Sequence, residues 1–191
     1  MSVSKTCIVL CVSVYLLLVS SCATLKEQAV STVDIASNVS LKLTLPPESL
    51  VGRNLSQLMT ISYGQTSHQM LVQVAFEQDK LIMVAVSVQG VPLFELEMDA
   101  LGQVALQSYI SLPDFNPMYV LADIQLTHWP VDVLMPQLRG GLIRDTANEQ
   151  QQLRELVVNN EVVVRIHKRQ QSTQFEHLER DYRLQLTDME E

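Results

Sequence analysis

Cysteine is scarce: the 191-residue chain contains three, and all of them fall within its first 22 residues. Cys7 and Cys11 lie in an apolar N-terminal run, and Cys22 follows that run. No thiol is therefore left between residues 23 and 191 for a disulfide or a catalytic cysteine. A chain of this length can nevertheless bury a substantial core without cross-links or metals.

Sequence motifs typical of enzymes and metal sites are lacking as well. The sequence contains no HExxH, CxxC or GxSxG motif and no phosphate-binding glycine loop. The four histidines stand far apart, at His68, His128, His167 and His177. His128 lies beside Trp129 and near Asp123, but no candidate nucleophile accompanies it, so we interpret it as an interfacial residue next to a buried tryptophan. We predict no catalytic residue, no metal and no cofactor.

Positive charge is in short supply, with 13 Lys and Arg against 21 Asp and Glu. The formal net charge of −8 argues against nucleic-acid binding and against attraction to anionic lipid by charge. Glu95, Glu97 and Asp99 alternate with apolar residues, and paired carboxylates can serve glycosidic acid–base chemistry. Because they share one face of a predicted strand, we interpret them as a solvated surface.

The N-terminus carries the most specific pattern in the chain. Lys5 precedes an apolar run over residues 7–19, which is too short for a comfortable membrane span. Small residues and Cys22 follow this run, as in a bacterial lipoprotein signal with its lipobox. We predict a signal peptide over residues 1–21 and acylation of Cys22 as a stable membrane anchor. The two residues after Cys22 are uncharged, which favours the outer membrane, facing the periplasm.

The rest of the chain divides into two parts. Residues 22–40 are polar with small side chains, and we predict a lipidated tether with a short helix within 25–35. A single domain over residues 41–191 is expected to be mainly β with short helices, because period-two alternation recurs along it. The predicted strands cover residues 41–45, 58–63, 70–76, 81–88, 94–98, 104–106, 153–158, 162–166 and 182–186.

A helical segment interrupts this predicted antiparallel meander. Asn116 is a suitable N-cap for a helix whose first residue is Pro117. Apolar residues at helical spacing follow, and Trp129 and Pro130 end the helix. The helical apolar face is formed by Val120, Leu121, Ile124 and Leu126. A second short amphipathic piece is predicted over residues 131–138.

Two predicted strands have the clearest apolar faces. Alternation of this kind is typical of an ordinary core and equally of the wall of a ligand cavity, and the pattern alone leaves both open. Methionine is plentiful among these and other apolar positions, and Met-rich surfaces adapt to varied ligand shapes. The two apolar faces consist of Met70, Val72, Val74, Phe76, Phe94, Leu96 and Met98.

Several short motifs together resemble a family of proteobacterial lipoproteins that are often encoded within aryl polyene biosynthesis clusters and are similar to LolA and LolB. These motifs are the lipobox Cys22, Leu45-Pro46-Pro47, Gln57 ahead of a strand, Gly90-Val91-Pro92-Leu93-Phe94, Asp99-Ala100-Leu101-Gly102 and His128-Trp129-Pro130. The resemblance implies a curved antiparallel sheet, or incomplete β-barrel, with helices over its concave face and an apolar cavity that accepts acyl chains.

The resemblance therefore implies a non-enzymatic outer-membrane lipoprotein that binds an acyl- or polyene-like molecule and assists its transport or insertion. Its partners would be the membrane, the hydrophobic ligand and a periplasmic carrier or envelope complex. Helical residues would then belong to the lid of the cavity. The expected cavity lining is Met70, Val72, Val74, Phe76, Phe94, Leu96, Met98, Leu121, Ile124 and Trp129.

A second hypothesis is an interaction protein with a filled core, which docks on an envelope assembly or biosynthetic complex without a ligand. Its candidate contact surfaces are the charged run over residues 176–183 and the acidic tail over residues 188–191. A third, a hydrolase or thioesterase, lacks a catalytic arrangement in the sequence.

Overall fold

A computed structural model describes residues 31–112 and 115–189 of the chain. The predicted signal peptide, residues 1–21, and the predicted lipidation site, Cys22, lie outside the described residues. Within the described ranges, no helix is both long and apolar enough to cross a membrane.

Thirteen strands and two α-helices make up the described part of the chain. The strands are β1 (Thr32–Ala36), β2 (Val39–Lys42), β3 (Asn54–Tyr63), β4 (Thr66–Phe76), β5 (Lys80–Ser87), β6 (Pro92–Asp99), β7 (Val104–Ser108), β8 (Leu138–Arg139), β9 (Leu142–Ala147), β10 (Gln151–Val158), β11 (Glu161–Arg169), β12 (Ser172–His177) and β13 (Tyr182–Asp188). The helices are α1 (Pro117–His128) and α2 (Val131–Leu134), and a 3₁₀ turn, Met135–Gln137, follows α2.

Ten of these strands form one antiparallel sheet in the order β7-β6-β5-β4-β3-β13-β12-β11-β10-β9. On each side of the β3–β13 pair, strands that are consecutive in sequence are also neighbours in the sheet. The β3–β13 pair joins the two halves of the chain. Strands β7 and β9 have no second neighbour in this sheet, so the described sheet is open and does not close into a barrel. The prediction of a mainly β fold with short helices is confirmed.

Alternation along the strands decides which side of the sheet is buried. In β4, Val72, Val74 and Phe76 are buried, and in β5 the buried positions are Leu81, Met83 and Ala85. Residues between them point to the opposite face and are half-buried or exposed, as the period-two geometry of a strand requires. The apolar core therefore lies on one face of the large sheet.

The predicted hairpin around residues 159 and 160 is present as β10 and β11. Asn159 and Asn160 form its two-residue turn with positive φ angles of 48° and 70°. A type I′ turn needs positive φ at both central residues, and asparagine tolerates this conformation better than most residues. The sequence signal and the backbone geometry therefore agree at this turn.

The predicted tether is wrong for its described part. Residues 32–36 and 39–42 form strands β1 and β2, and with β8 they make a separate three-stranded antiparallel sheet. Val33, Ile35 and Val39 are buried in the common core, so this segment is part of the folded domain. The same finding excludes a helix at residues 32–35. The alternating apolar residues of this segment are few and lie among small polar residues, so the sequence pattern did not indicate strands within the predicted tether.

Helix α1 lies between the two sheets. Its N-cap is Asn116, whose side chain accepts a hydrogen bond from the Met118 N–H at 2.9 Å, and Pro117 occupies the first turn, as predicted. On the side facing the small sheet, the Gln125 amide pairs with both the N–H and the carbonyl of Thr44, at 3.1 and 2.9 Å. The Trp129 indole N–H donates to the Thr44 hydroxyl at 3.0 Å. The helix is thus fixed along one side by polar contacts.

Arg154 holds the C-terminal end of α1 against the large sheet. Its Nη1 donates to the carbonyls of Leu126 and Trp129 at 2.7 and 2.8 Å, and these belong to the last turn of the helix and its C-cap. Its Nε and Nη2 donate to Asp145 at 3.0 and 2.8 Å. Carbonyls in a helix's last turn have no partner within the helix, so this buried guanidinium supplies one.

Candidate functional site

A cavity of about 980 Å³ lies between α1 and the buried face of the large sheet. Its wall is mainly apolar and comes from strands β3, β4, β5, β6 and β13, from α1, and from the turn between β12 and β13. The wall residues are Gln57, Met59, Ile61, Tyr63, His68, Met70, Val72, Val74, Met83, Phe94, Phe115, Asn116, Tyr119, Val120, Asp123, Ile124, Thr127, His128, Glu179, Arg180, Asp181, Tyr182, Leu184 and Leu186.

The cavity runs along α1 and its two ends differ. Near the N-terminal end of the helix, the wall includes exposed side chains such as Tyr63, His68 and Asp181, which form an open rim. At the other end, the Phe76 ring contacts the rings of His128 and Trp129, each at 5.7 Å between centroids. The cavity is therefore open at the rim and closed by aromatic side chains at its inner end.

Five of the ten residues that the sequence assigned to a cavity wall do line this cavity. Met70, Val72 and Val74 lie on β4, Phe94 on β6, and Ile124 on α1. Val72, Val74 and Phe94 are almost entirely inaccessible from outside the protein, whereas Met70 is only partly buried.

The other five predicted lining residues lie in the solid core instead. Leu121 and Trp129 are completely buried on other sides of the helical segment, since successive helical residues point about 100° apart. Phe76, Leu96 and Met98 share the sheet's inner face but pack where the interior is filled. Alternation predicts which face a side chain occupies, and it carries no information on whether that face meets another side chain or a void.

Asp123 places a carboxyl group in the middle of the cavity wall. The Tyr182 hydroxyl on β13 donates a hydrogen bond to Asp123 Oδ2 at 2.6 Å. Burial raises the pKa of Asp123 to about 7, against the lowering effects of this hydrogen bond and of the Arg180 charge. Burial and the neighbouring Asp123 also raise the pKa of Tyr182 above its usual range. The pair is polar but is surrounded by apolar wall.

The turn between β12 and β13 forms part of the rim, and β1 holds it in place. Arg180 donates to the Asp34 carbonyl at 2.6 Å, and its guanidinium lies 3.6 Å from the centre of the Tyr119 ring. The neighbouring Glu179 carboxylate accepts hydrogen bonds from the backbone and hydroxyl of Ser37, which lower its pKa. The N-terminal strands therefore shape the cavity's mouth.

His128 occupies the inner part of the cavity wall. Burial lowers its pKa to about 3, and the nearby positive charges of Lys168, Arg53 and Arg154 act in the same direction. The imidazole is therefore neutral at any physiological pH. Its ring packs on Phe76, next to the buried Trp129, which agrees with the interpretation of an interfacial histidine.

The polar residues of the cavity can bind a ligand's polar group. The hydrogen-bond partner of Asp123 is Tyr182, and within the described ranges no group of three His, Cys, Asp or Glu side chains is placed to hold a metal ion. Glu95 and Glu97 lie on the opposite, half-exposed face of β6. What the site offers is an apolar volume with a few hydrogen-bonding groups.

Sequence reasoning missed the β3 and β13 sides of the cavity and its polar members. The alternations Gln57, Met59, Ile61 and Tyr182, Leu184, Leu186 are visible in the sequence, and they predict strands without revealing that β3 and β13 pair with each other. A carboxylate at position 123, which follows the mainly apolar helical residues 117–122, was the available signal for a polar site.

Comparison with protein families gives one match. A family model described as "Protein of unknown function (DUF3261)" matches residues 54–190. The chain belongs to the DUF3261 family. The match extends from the start of β3 to the end of β13, so the large sheet, α1 and the whole cavity wall belong to the DUF3261 region, whereas β1 and β2 precede it. No curated protein matches the chain.

Proposed function

We propose that this DUF3261 protein is a non-enzymatic carrier that binds an apolar molecule with an acyl or polyene chain in the cavity under α1. The cavity of about 980 Å³ is the observation that carries this proposal. Pockets that enclose small ligands commonly measure about 300–1,000 Å³ and combine an apolar wall with a few polar groups. This wall has that composition, and its Met59, Met70 and Met83 side chains adapt readily to a flexible chain.

The proposal includes a location and a finer fold. Cys22 follows a lipoprotein-type signal, so we propose that acyl groups on this residue anchor the protein to the outer membrane, facing the periplasm. The open antiparallel sheet with a helix over its buried face is compatible with the incomplete barrel of LolA and LolB, and we propose this kinship on the sequence resemblance. Cargo would then pass between the cavity and the membrane without bond cleavage.

Two neighbouring residues on β4 allow a matched test. Met70 lines the cavity, whereas Leu71 points to the opposite face of the same strand and is also half-buried. Met70→Trp fills part of the cavity, and Leu71→Trp adds the same bulk outside it. We expect native mass spectrometry of the full chain, in a mild non-ionic detergent with added hexadecan-1-ol, to show reduced ligand occupancy for Met70→Trp alone. Equal occupancy in both variants and the unmodified protein would contradict the carrier function.

A second candidate function is docking on an envelope complex, and one surface favours it. Val88 and Val91 at the β5–β6 turn, together with Leu106, Tyr109 and Ile110 on and after the edge strand β7, are exposed. In contrast, the charged run over residues 176–183 has several of its charges engaged within the molecule, including the Arg183–Glu176 ion pair at 2.6 Å. If the protein binds no apolar ligand in the native mass spectrometry experiment, docking becomes the favoured function.

A further inference from the structure

We infer that the cavity selects an apolar ligand whose polar group donates a hydrogen bond, such as a hydroxyl or an amide N–H, and that Asp123 accepts this bond. The inference rests on the proposed carrier function and adds the class of polar group. It follows from the hydrogen bonds that Asp123 makes, from its place in the wall and from the charges around it.

Asp123 uses only part of its hydrogen-bonding capacity. Among the described residues, its Oδ2 accepts from the Tyr182 hydroxyl, and no donor reaches its Oδ1. The residue lines the cavity, so the free oxygen is available to an occupant of the cavity. A carboxylate in low-dielectric surroundings is costly unless hydrogen bonds satisfy it. A ligand that donates to Oδ1 would therefore be held at this depth.

The groups next to Asp123 make contacts of their own. The Tyr182 hydroxyl proton points to Asp123, and Arg180 is bound to the Asp34 carbonyl and stacked on Tyr119. The His177 imidazole packs beside Tyr182 at 5.2 Å and interacts through Nε2 with the Ile35 carbonyl at 2.8 Å. None of these contacts uses Asp123 Oδ1, which stays an unused acceptor in the cavity wall.

The charges around the entrance disfavour an anionic polar group. Glu179 and Asp181 lie on the rim, Asp123 lies below them, and Arg180 is the cation of the same turn. Burial holds the pKa of Asp123 at about 7, so at pH 8 this carboxyl is largely ionised. A free fatty acid would bring its carboxylate close to these like charges, whereas an alcohol or amide would not.

The test compares three ligands that share a 16-carbon chain and differ in their polar group. Hexadecan-1-ol donates and accepts, methyl palmitate only accepts, and palmitate is an anion at pH 8. Native mass spectrometry of the full chain at pH 8 gives their relative affinities. We expect hexadecan-1-ol to bind at least about tenfold more tightly than methyl palmitate, equivalent to about 1.4 kcal/mol, and palmitate to bind most weakly.

Asp123→Asn is the decisive variant. Its amide oxygen can still accept from Tyr182, while its NH₂ group replaces Oδ1 and donates into the cavity. We expect the variant to lose the preference for hexadecan-1-ol over methyl palmitate and to bind methyl palmitate at least as well as the unmodified protein, which also verifies folding. Asp132→Asn removes an equal charge from an exposed position on α2 and should leave the order of affinities unchanged.

Three results would overturn the inference, and the third differs from the first two in what it says about the carrier function. Equal binding of hexadecan-1-ol and methyl palmitate to the unmodified protein, or an unchanged preference in Asp123→Asn, would contradict the role of Asp123 while leaving the carrier function in place. Failure of all three ligands to bind would contradict both.

Discussion

Arg154→Met removes the guanidinium that connects the C-terminal end of α1 to the large sheet. Methionine has a similar length and is apolar, so the substitution keeps much of the packing volume. It leaves the carbonyls of Leu126 and Trp129 without their donors and leaves Asp145 without its ion-pair partner. The Arg154 side chain is 6% exposed and that of Asp145 18%, so water replaces these contacts poorly.

The expected loss is large because the carbonyls of the buried residues Leu126 and Trp129 lose their donors together with the ion pair to Asp145. A buried polar group without a partner costs about 1–3 kcal/mol, and breaking a buried ion pair by removing one partner costs about 3–5 kcal/mol. We therefore expect Arg154→Met to lower the free energy of unfolding by about 3–5 kcal/mol. Since domains have total stabilities of about 5–15 kcal/mol, this loss would bring the protein close to its folding threshold.

The control is a second arginine pair in the same sheet. Arg165 on β11 binds Glu155 on β10 at 3.0 Å, but its side chain is 34% exposed and touches no helix carbonyl. Arg165→Met should cost less than about 1 kcal/mol. Urea unfolding followed by the fluorescence of Trp129, the single tryptophan, measures both. Equal losses in the two variants, or a loss below about 1 kcal/mol for Arg154→Met, would refute this reasoning.

Four further substitutions test other parts of the structure, and Gly52→Ala serves as a control for one of them. Gln125→Leu should lower the free energy of unfolding by about 2–5 kcal/mol in urea melts, because the partly buried backbone N–H and carbonyl of Thr44 lose their partners. Gly140→Ala should cost more than about 2 kcal/mol, since a Cβ there would overlap the backbone of the β1–β2 turn at a φ of 82°; Gly52→Ala, with open space around it, should cost less. Between pH 3.8 and about 7, folded Asp123 retains a proton that the unfolded chain releases, so stability should fall as pH rises, and Asp123→Asn should remove this slope. His128 has the opposite effect: between pH 6.5 and about pH 3 the unfolded chain binds a proton at this residue and the folded protein does not, so stability falls as pH falls. Urea melts across this range should show a smaller loss of stability at low pH in His128→Asn.

Local patterns in the sequence predicted most of the secondary structure. The alternating strand faces, the Asn116 cap and the two-asparagine turn each depend on a few neighbouring residues, and they appear as expected. Strands β9 and β12 were missed because polar residues dominate them. Strand β1 was missed because its apolar side chains are few, although they are buried against the rest of the core.

The cavity depends on long-range pairing and was only half predictable. The wall joins β3 to β13, which are more than a hundred residues apart, and no local pattern specifies that register. The division of α1 into a side facing the cavity and a side facing Thr44 also depends on where the small sheet docks. An amphipathic helix has one apolar stripe, whereas α1 is covered on both sides. Its sequence therefore does not predict which of its apolar residues face the cavity.

The central claim is that the cavity under α1 holds an apolar ligand in the working protein. The most direct measurement is native mass spectrometry, followed by lipid extraction, of the full chain purified from the envelope of its own host. We predict a bound acyl or polyene compound at near one-to-one ratio, with reduced occupancy in Met70→Trp and unchanged occupancy in Leu71→Trp. A bare protein mass that stays unchanged on addition of hexadecan-1-ol would contradict the carrier function.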